Sequence, residues 1–122
     1  MKLNAIVPVL WVADIPATLQ FYKEVLGFAC TAQADSWACL ERDGVEIMVS
    51  APNAHYPFDK SHFTGSFYFK LETVNQVDEL WQQVKDKATV VYPIEEFDYG
   101  MREFAVNDSN GFILQFGAAI QD

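Results

Sequence analysis

The feature that most restricts how this chain can fold is a twofold repetition, in which the order strand, helix, three strands is written twice along 122 residues. In the first half, residues 4–12 alternate as a strand, and residues 16–26 carry apolar side chains at helical spacing through Leu19, Phe21 or Tyr22, and Leu26, with Gly27 as the stop. Strand-like pieces follow at 28–33, 37–42 and 45–50, with Asp43-Gly44 supplying the tight turn between the last two. The second half repeats the order. A strand at 65–71 precedes a helix at 74–87, whose stripe runs through Val74, Val77, Leu80 or Trp81, and Val84. Strands at 89–93, 101–107 and 112–117 complete it, with Asn110-Gly111 at the corresponding turn. The expected organisation is a βαβββ module at 4–51, a connector at 52–64 that holds His55 and His62, and a second βαβββ module at 65–122. Neither module can cover both faces of its sheet, so the expected fold is one α+β domain over 1–122, its two modules packed into a curved sheet around a ligand-sized cavity.

Composition sets outer limits on function. Half the residues are apolar and 15% are aromatic, which fits a packed core, and no apolar run approaches the roughly 18 residues of a membrane span. The opening Met1-Lys2-Leu3-Asn4 runs into a strand-like segment without an export signal, so a cytoplasmic location is expected. Cys30 and Cys39 fit buried thiols in a reducing compartment, with a disulfide across a hairpin as the alternative. Seventeen acidic residues against eight basic ones give a net charge of -9, which opposes nucleic acid and anionic membranes as partners and attracts cationic ligands. Acidity also serves solubility alone.

Three motifs carry a resemblance: Val7-Pro-Val-Leu10 followed by Asp14, the helix end Gln20-Phe-Tyr-Lys-Glu-Val-Leu-Gly-Phe28, and Arg102-Glu-Phe-Ala-Val-Asn-Asp108. With a short tail at Gln121-Asp122, they resemble the glyoxalase, bleomycin-resistance and extradiol-dioxygenase superfamily over essentially the whole chain. In its metal-dependent members the ligands lie on the first and last strands of each half. Those positions here are Val7, Met48, Ser66 and Gln115, which offer no set of hard donors. The resemblance therefore points to the branch of bleomycin-resistance proteins, which hold a drug rather than alter it. No metal, cofactor or catalytic residue is expected.

A site of that kind needs flat rings for planar heterocycles and carboxylates for amines. By strand parity, Val9 and Trp11 share the cavity face, with Trp37 at the start of the third strand. Tyr99 precedes Gly100, and either Phe67 or Tyr68 faces inward on the first strand of the second half. The expected ligand-binding set is Trp11, Trp37, Met48, Ser66, Phe67, Tyr68, Asp98, Tyr99 and Gln115, Asp98 being chosen with Glu96 as a carboxylate for a cation. Glu41, Glu46, Glu72 and Glu103 read as solvated strand residues, and Arg102 as a partner of Glu103, Glu95 or Glu96. The resemblance implies a homodimer with the site shared between chains. The expected function is sequestration of a cationic heteroaromatic small molecule, such as a bleomycin-type glycopeptide. The alternatives are a lyase, isomerase or dioxygenase relative with an atypical site, and a binder of some regulatory metabolite.

Overall fold

The computed structural model describes residues 1–52, 62–63 and 65–121. It divides into two compact units, Met1–Ser61 and His62–Asp122. The first contains β1 (Val9–Trp11), α1 (Ile15–Leu26), β2 (Ala29–Ala34), β3 (Trp37–Arg42) and β4 (Val45–Ser50). The second contains β5 (Ser66–Lys70), α2 (Val74–Val84), β6 (Thr89–Glu96), β7 (Met101–Asn107) and β8 (Ile113–Ala119). Each forms a four-stranded sheet of the same connectivity, β1-β4-β3-β2 and β5-β8-β7-β6. The strand before each helix pairs in parallel with the last strand of its unit, and the remaining pairs are antiparallel. The protein is thus an α+β fold of two βαβββ modules. No helix among the described residues is long and apolar enough to cross a membrane.

Local chemistry fixes the helix ends. Asp14 caps α1 by accepting from the Ala17 amide at 3.0 Å, and Pro16 sits in the first turn, where its missing N–H costs nothing. At the other end the Phe28 amide donates to the Tyr22 carbonyl at 2.9 Å, and the Arg42 guanidinium donates to the Leu26 carbonyl. The buried stripe of α1 is Ile15, Thr18, Tyr22 and Leu26, with Leu19 half-buried. Thr18 tolerates full burial because its hydroxyl donates to the Asp14 carbonyl at 2.8 Å. Helix α2 begins with a reciprocal cap between Thr73 and Gln76 and buries Val77, Leu80 and Val84.

Where sequence and structure differ, the backbone gives the reason. The strand expected over 4–12 is only Val9–Trp11, because pairing begins at Pro8, which has no N–H and contributes just its carbonyl, accepting from the Met48 amide at 2.9 Å. Strand β6 runs through Pro93 to Glu96, where the sequence reading stops it. It lies at a sheet edge with irregular register around Tyr92, and an edge tolerates a residue that cannot donate. The Asp43-Gly44 hairpin has φ values of 54° and 82°, the paired positive values of a two-residue turn. The second turn is longer: the Asp108 carboxylate accepts from the amides of Asn110 and Phe112, and only Gly111 has positive φ. Cys30 and Cys39 are free thiols; they oppose Leu40 and Ala32 in the β2–β3 ladder rather than each other.

Candidate functional site: a tyrosine-clamped carboxylate on the second sheet

Strand alternation divides the second sheet into two chemically different faces. Toward α2 it presents a run of stacked aromatic rings: Phe69 on Phe116 at 5.0 Å, Phe116 on Phe104 at 5.2 Å, and Phe104 against Trp81 of α2 at 5.1 Å. The opposite face carries Ser66 and Tyr68 on β5, Gln115 and Gly117 on β8, Glu103 on β7 and Tyr92 on β6, as the register requires. These polar residues form one connected network. Tyr68 donates to Glu103 Oε1 at 2.8 Å, and Tyr92 donates to Glu103 Oε2. Gln115 donates from Nε2 to the Tyr92 oxygen at 3.0 Å and accepts from the Ser66 hydroxyl at 2.6 Å.

Glu103 is 1% exposed on a strand with neighbours on both sides. Burying an unpaired carboxylate costs several kcal/mol. The ion pairs of the described residues, Arg42–Asp43 and Arg102–Asp78, do not involve it, so the compensation comes from the two phenols. Gly117 makes their approach possible: a Cβ there would lie 2.1 Å from the Tyr68 hydroxyl and 2.9 Å from Glu103 Cβ, so only a residue without a side chain lets the Tyr68 ring cross β8.

The electrostatics follow from this enclosure. Desolvation, then the hydrogen bond to Glu103 and its charge, push the Tyr68 phenol far above its ordinary range. Tyr92 is pushed up to about 12 by desolvation and Glu103, with the Gln115 hydrogen bond acting in the opposite direction. Tyr99 is raised too, by desolvation and then by the neighbouring Glu103, Asp98 and Glu95. Tyr99 stacks on Phe97 at 5.4 Å with the rings 15° apart, and Phe97 meets Tyr92 edge-on. A line of rings thus leads from the network to an exposed face at Tyr99, itself 61% exposed.

Of the residues expected to bind ligand, the structure gathers Ser66, Tyr68 and Gln115 on one face of the second sheet, with Tyr99 and Asp98 in the loop between β6 and β7 close to its carboxylates. Phe67 is not among them. It points to the other face and stacks on Phe63 at 4.7 Å, which resolves the register between Phe67 and Tyr68 in favour of Tyr68. Trp11, Trp37 and Met48 belong to the first unit. There Trp11 and Trp37 both pair with Ser50, on the face away from buried Leu10 and Ala38, while Met48 pairs with Val9 and Cys39. His55 lies outside the described residues.

Two expectations are corrected. Arg102 pairs with Asp78 of α2 at 2.8 Å, because its strand position points it toward the helix. Glu103 is the centre of the network instead of a solvated residue, and its second donor is Tyr92, which lies in the expected strand 89–93 but carries no site expectation. A glycine inside a strand, Gly117, was the available signal of a close approach.

The donor chemistry at the superfamily's metal positions does not fit a hard divalent ion. Val7 has no lone pair, Met48 offers a soft thioether, and Ser66 and Gln115 are bonded to each other. Among the described residues no three His, Cys, Asp or Glu side chains form a metal-binding group.

Residues 2–116 match the profile of the Glyoxalase/Bleomycin resistance protein/Dioxygenase superfamily, and the chain belongs to it. Among solved structures it is similar to a glyoxalase/bleomycin resistance protein/dioxygenase from Nocardioides, with TM-score 0.81, 15% identity, and coverage of 99% of this chain and 87% of that one. A protein of unknown function from Agrobacterium tumefaciens str. C58 gives TM-score 0.79 at 19% identity, covering 98% and 97% of the two chains. An integron cassette protein from V. cholerae gives 0.69 at 24% identity, covering 97% of each. At these identities the likeness shows the fold. No curated protein matches the chain.

Proposed function

We propose that this protein is a binding member of its superfamily, one that holds a flat, cationic small molecule against the polar face of the second sheet without transforming it. The observation that carries the reading is the exposed Tyr99–Phe97 stack set beside Glu95, Asp98 and Glu103, which offers a planar cation a ring to lie on and negative charge to neutralise it. A net charge of -9 draws such a ligand from a distance. The hydrogen bonds also favour holding over chemistry: Tyr68 and Tyr92 have both committed their protons to Glu103 and have none to give a substrate. A bleomycin-type glycopeptide, with its heteroaromatic and cationic parts, is the ligand to test first.

A second reading, an acid–base enzyme, draws on one observation, the buried Glu103 carboxylate, since groups of this kind recur where proton transfer is catalysed. Its two oxygens are already engaged by Tyr68 and Tyr92, which supports the binding reading instead.

Titration with bleomycin, followed by quenching of intrinsic fluorescence, tests the proposal. Saturable quenching at micromolar ligand that weakens as salt is added supports it. No response at concentrations a hundredfold higher defeats drug sequestration. Stoichiometric nickel, zinc, iron or manganese in the purified protein would turn the argument toward a metalloenzyme.

A further inference from the structure

The network on the second sheet has a polarity that fixes what its exposed member offers a ligand. A carboxylate only accepts, so Tyr68 and Tyr92 must each spend their single proton on Glu103. Tyr92 then has none left for Gln115, which is why the amide presents its N–H side there and its oxygen to Ser66. Tyr92 accepts that bond; Tyr68 has no matching donor among the described residues, and it is 39% exposed. Its ring is held across Gly117, where a single added carbon would meet the hydroxyl at 2.1 Å, so the oxygen has a fixed place rather than a free rotor's range.

Resting on the proposed function above, we infer that Tyr68 Oη is an obligate hydrogen-bond acceptor for the ligand, and that Glu103 sets this polarity as a positioning residue. The site then selects among cations. It takes those that carry N–H donors, such as amidinium or primary ammonium groups, over quaternary ammonium ions of equal charge. It disfavours neutral carbonyl compounds, which need a donor that Tyr68 has already spent.

Three probes of similar size separate these ideas on the full chain: benzamidine, benzyltrimethylammonium and acetophenone, a neutral carbonyl compound without an N–H, with affinities measured by calorimetry or by shifts in the NMR spectrum. Benzamidine is expected to bind roughly tenfold more tightly than benzyltrimethylammonium, the range of one hydrogen bond to a charged group. Tyr68→Phe is expected to bring the two cations to equal affinity. Glu103→Gln places an amide donor among the phenols and is expected to narrow the preference for benzamidine over acetophenone. Equal wild-type affinity for the two cations would overturn the acceptor role and leave cation binding standing. Acetophenone binding as well as both cations would overturn the binding reading itself, and the inference with it. The wild-type ratios decide between these outcomes even if Tyr68→Phe does not fold.

Discussion

The two sheets share one connectivity and present different chemistry on the face turned away from their helices. In the first, Met48 is flanked by Val9 and Cys39, a row of soft, weakly polar groups. In the second, Gln115 is flanked by Tyr68 and Ala105, with Glu103 reached diagonally across Gly117. Their helix-facing sides are alike, both apolar and both closed by a capped helix. The lesson is that the scaffold decides which side chains become neighbours, while function resides in what is placed at those positions. The buried polar network in the second sheet is maintained at an energetic cost that the first sheet does not bear.

Breaking that contrast most severely requires filling the space at Gly117. Gly117→Val is expected to expel Tyr68 and press on Glu103, destabilising the protein by about 3 kcal/mol or more in chemical denaturation. Next comes Tyr92→Phe, which strips a donor from a buried carboxylate and is expected to cost about 1–3 kcal/mol. The same phenols give the sheet a signature at alkaline pH. Folding raises them above their ordinary value of 10, so their contribution is complete below pH 10 and is lost as pH rises through about 12. Denaturation curves between pH 9 and 12 should show this loss in the wild type, and a shallower one in the Tyr68→Phe, Tyr92→Phe double variant.

A smaller, symmetrical effect tests how far the halves are equivalent. Asp14→Ala and Thr73→Ala each remove a helix cap and are expected to cost about 1 kcal/mol apiece, whichever sheet the helix covers. Unequal costs would show that the halves differ in their scaffold as well as their sites. Smallest in stability is Tyr99→Ala, expected to leave the unfolding midpoint unchanged while weakening a bound planar cation about fivefold in the bleomycin titration. Equal loss of folding and binding would mark Tyr99 as a packing residue.

Alternation, helical spacing and turn residues are local properties, and the sequence by itself determined the order of elements and the rough apolar stripe of each helix, leaving Phe21 or Tyr22 and Leu80 or Trp81 to be decided by packing. Ser66 and Gln115 were legible through the resemblance, as positions where relatives carry metal ligands, and Tyr68 only as one of two candidates with Phe67 until strand pairing fixed the face. Glu103 was not, because a carboxylate inside a strand looks the same whether water or two phenols will surround it. Its burial and its donors come from residues 35 and 11 positions away in the chain. Only the tertiary structure decided that pairing, since register between strands, the bulged course of β6 past Pro93 and the gap at Gly117 are relations among distant segments that no local pattern encodes.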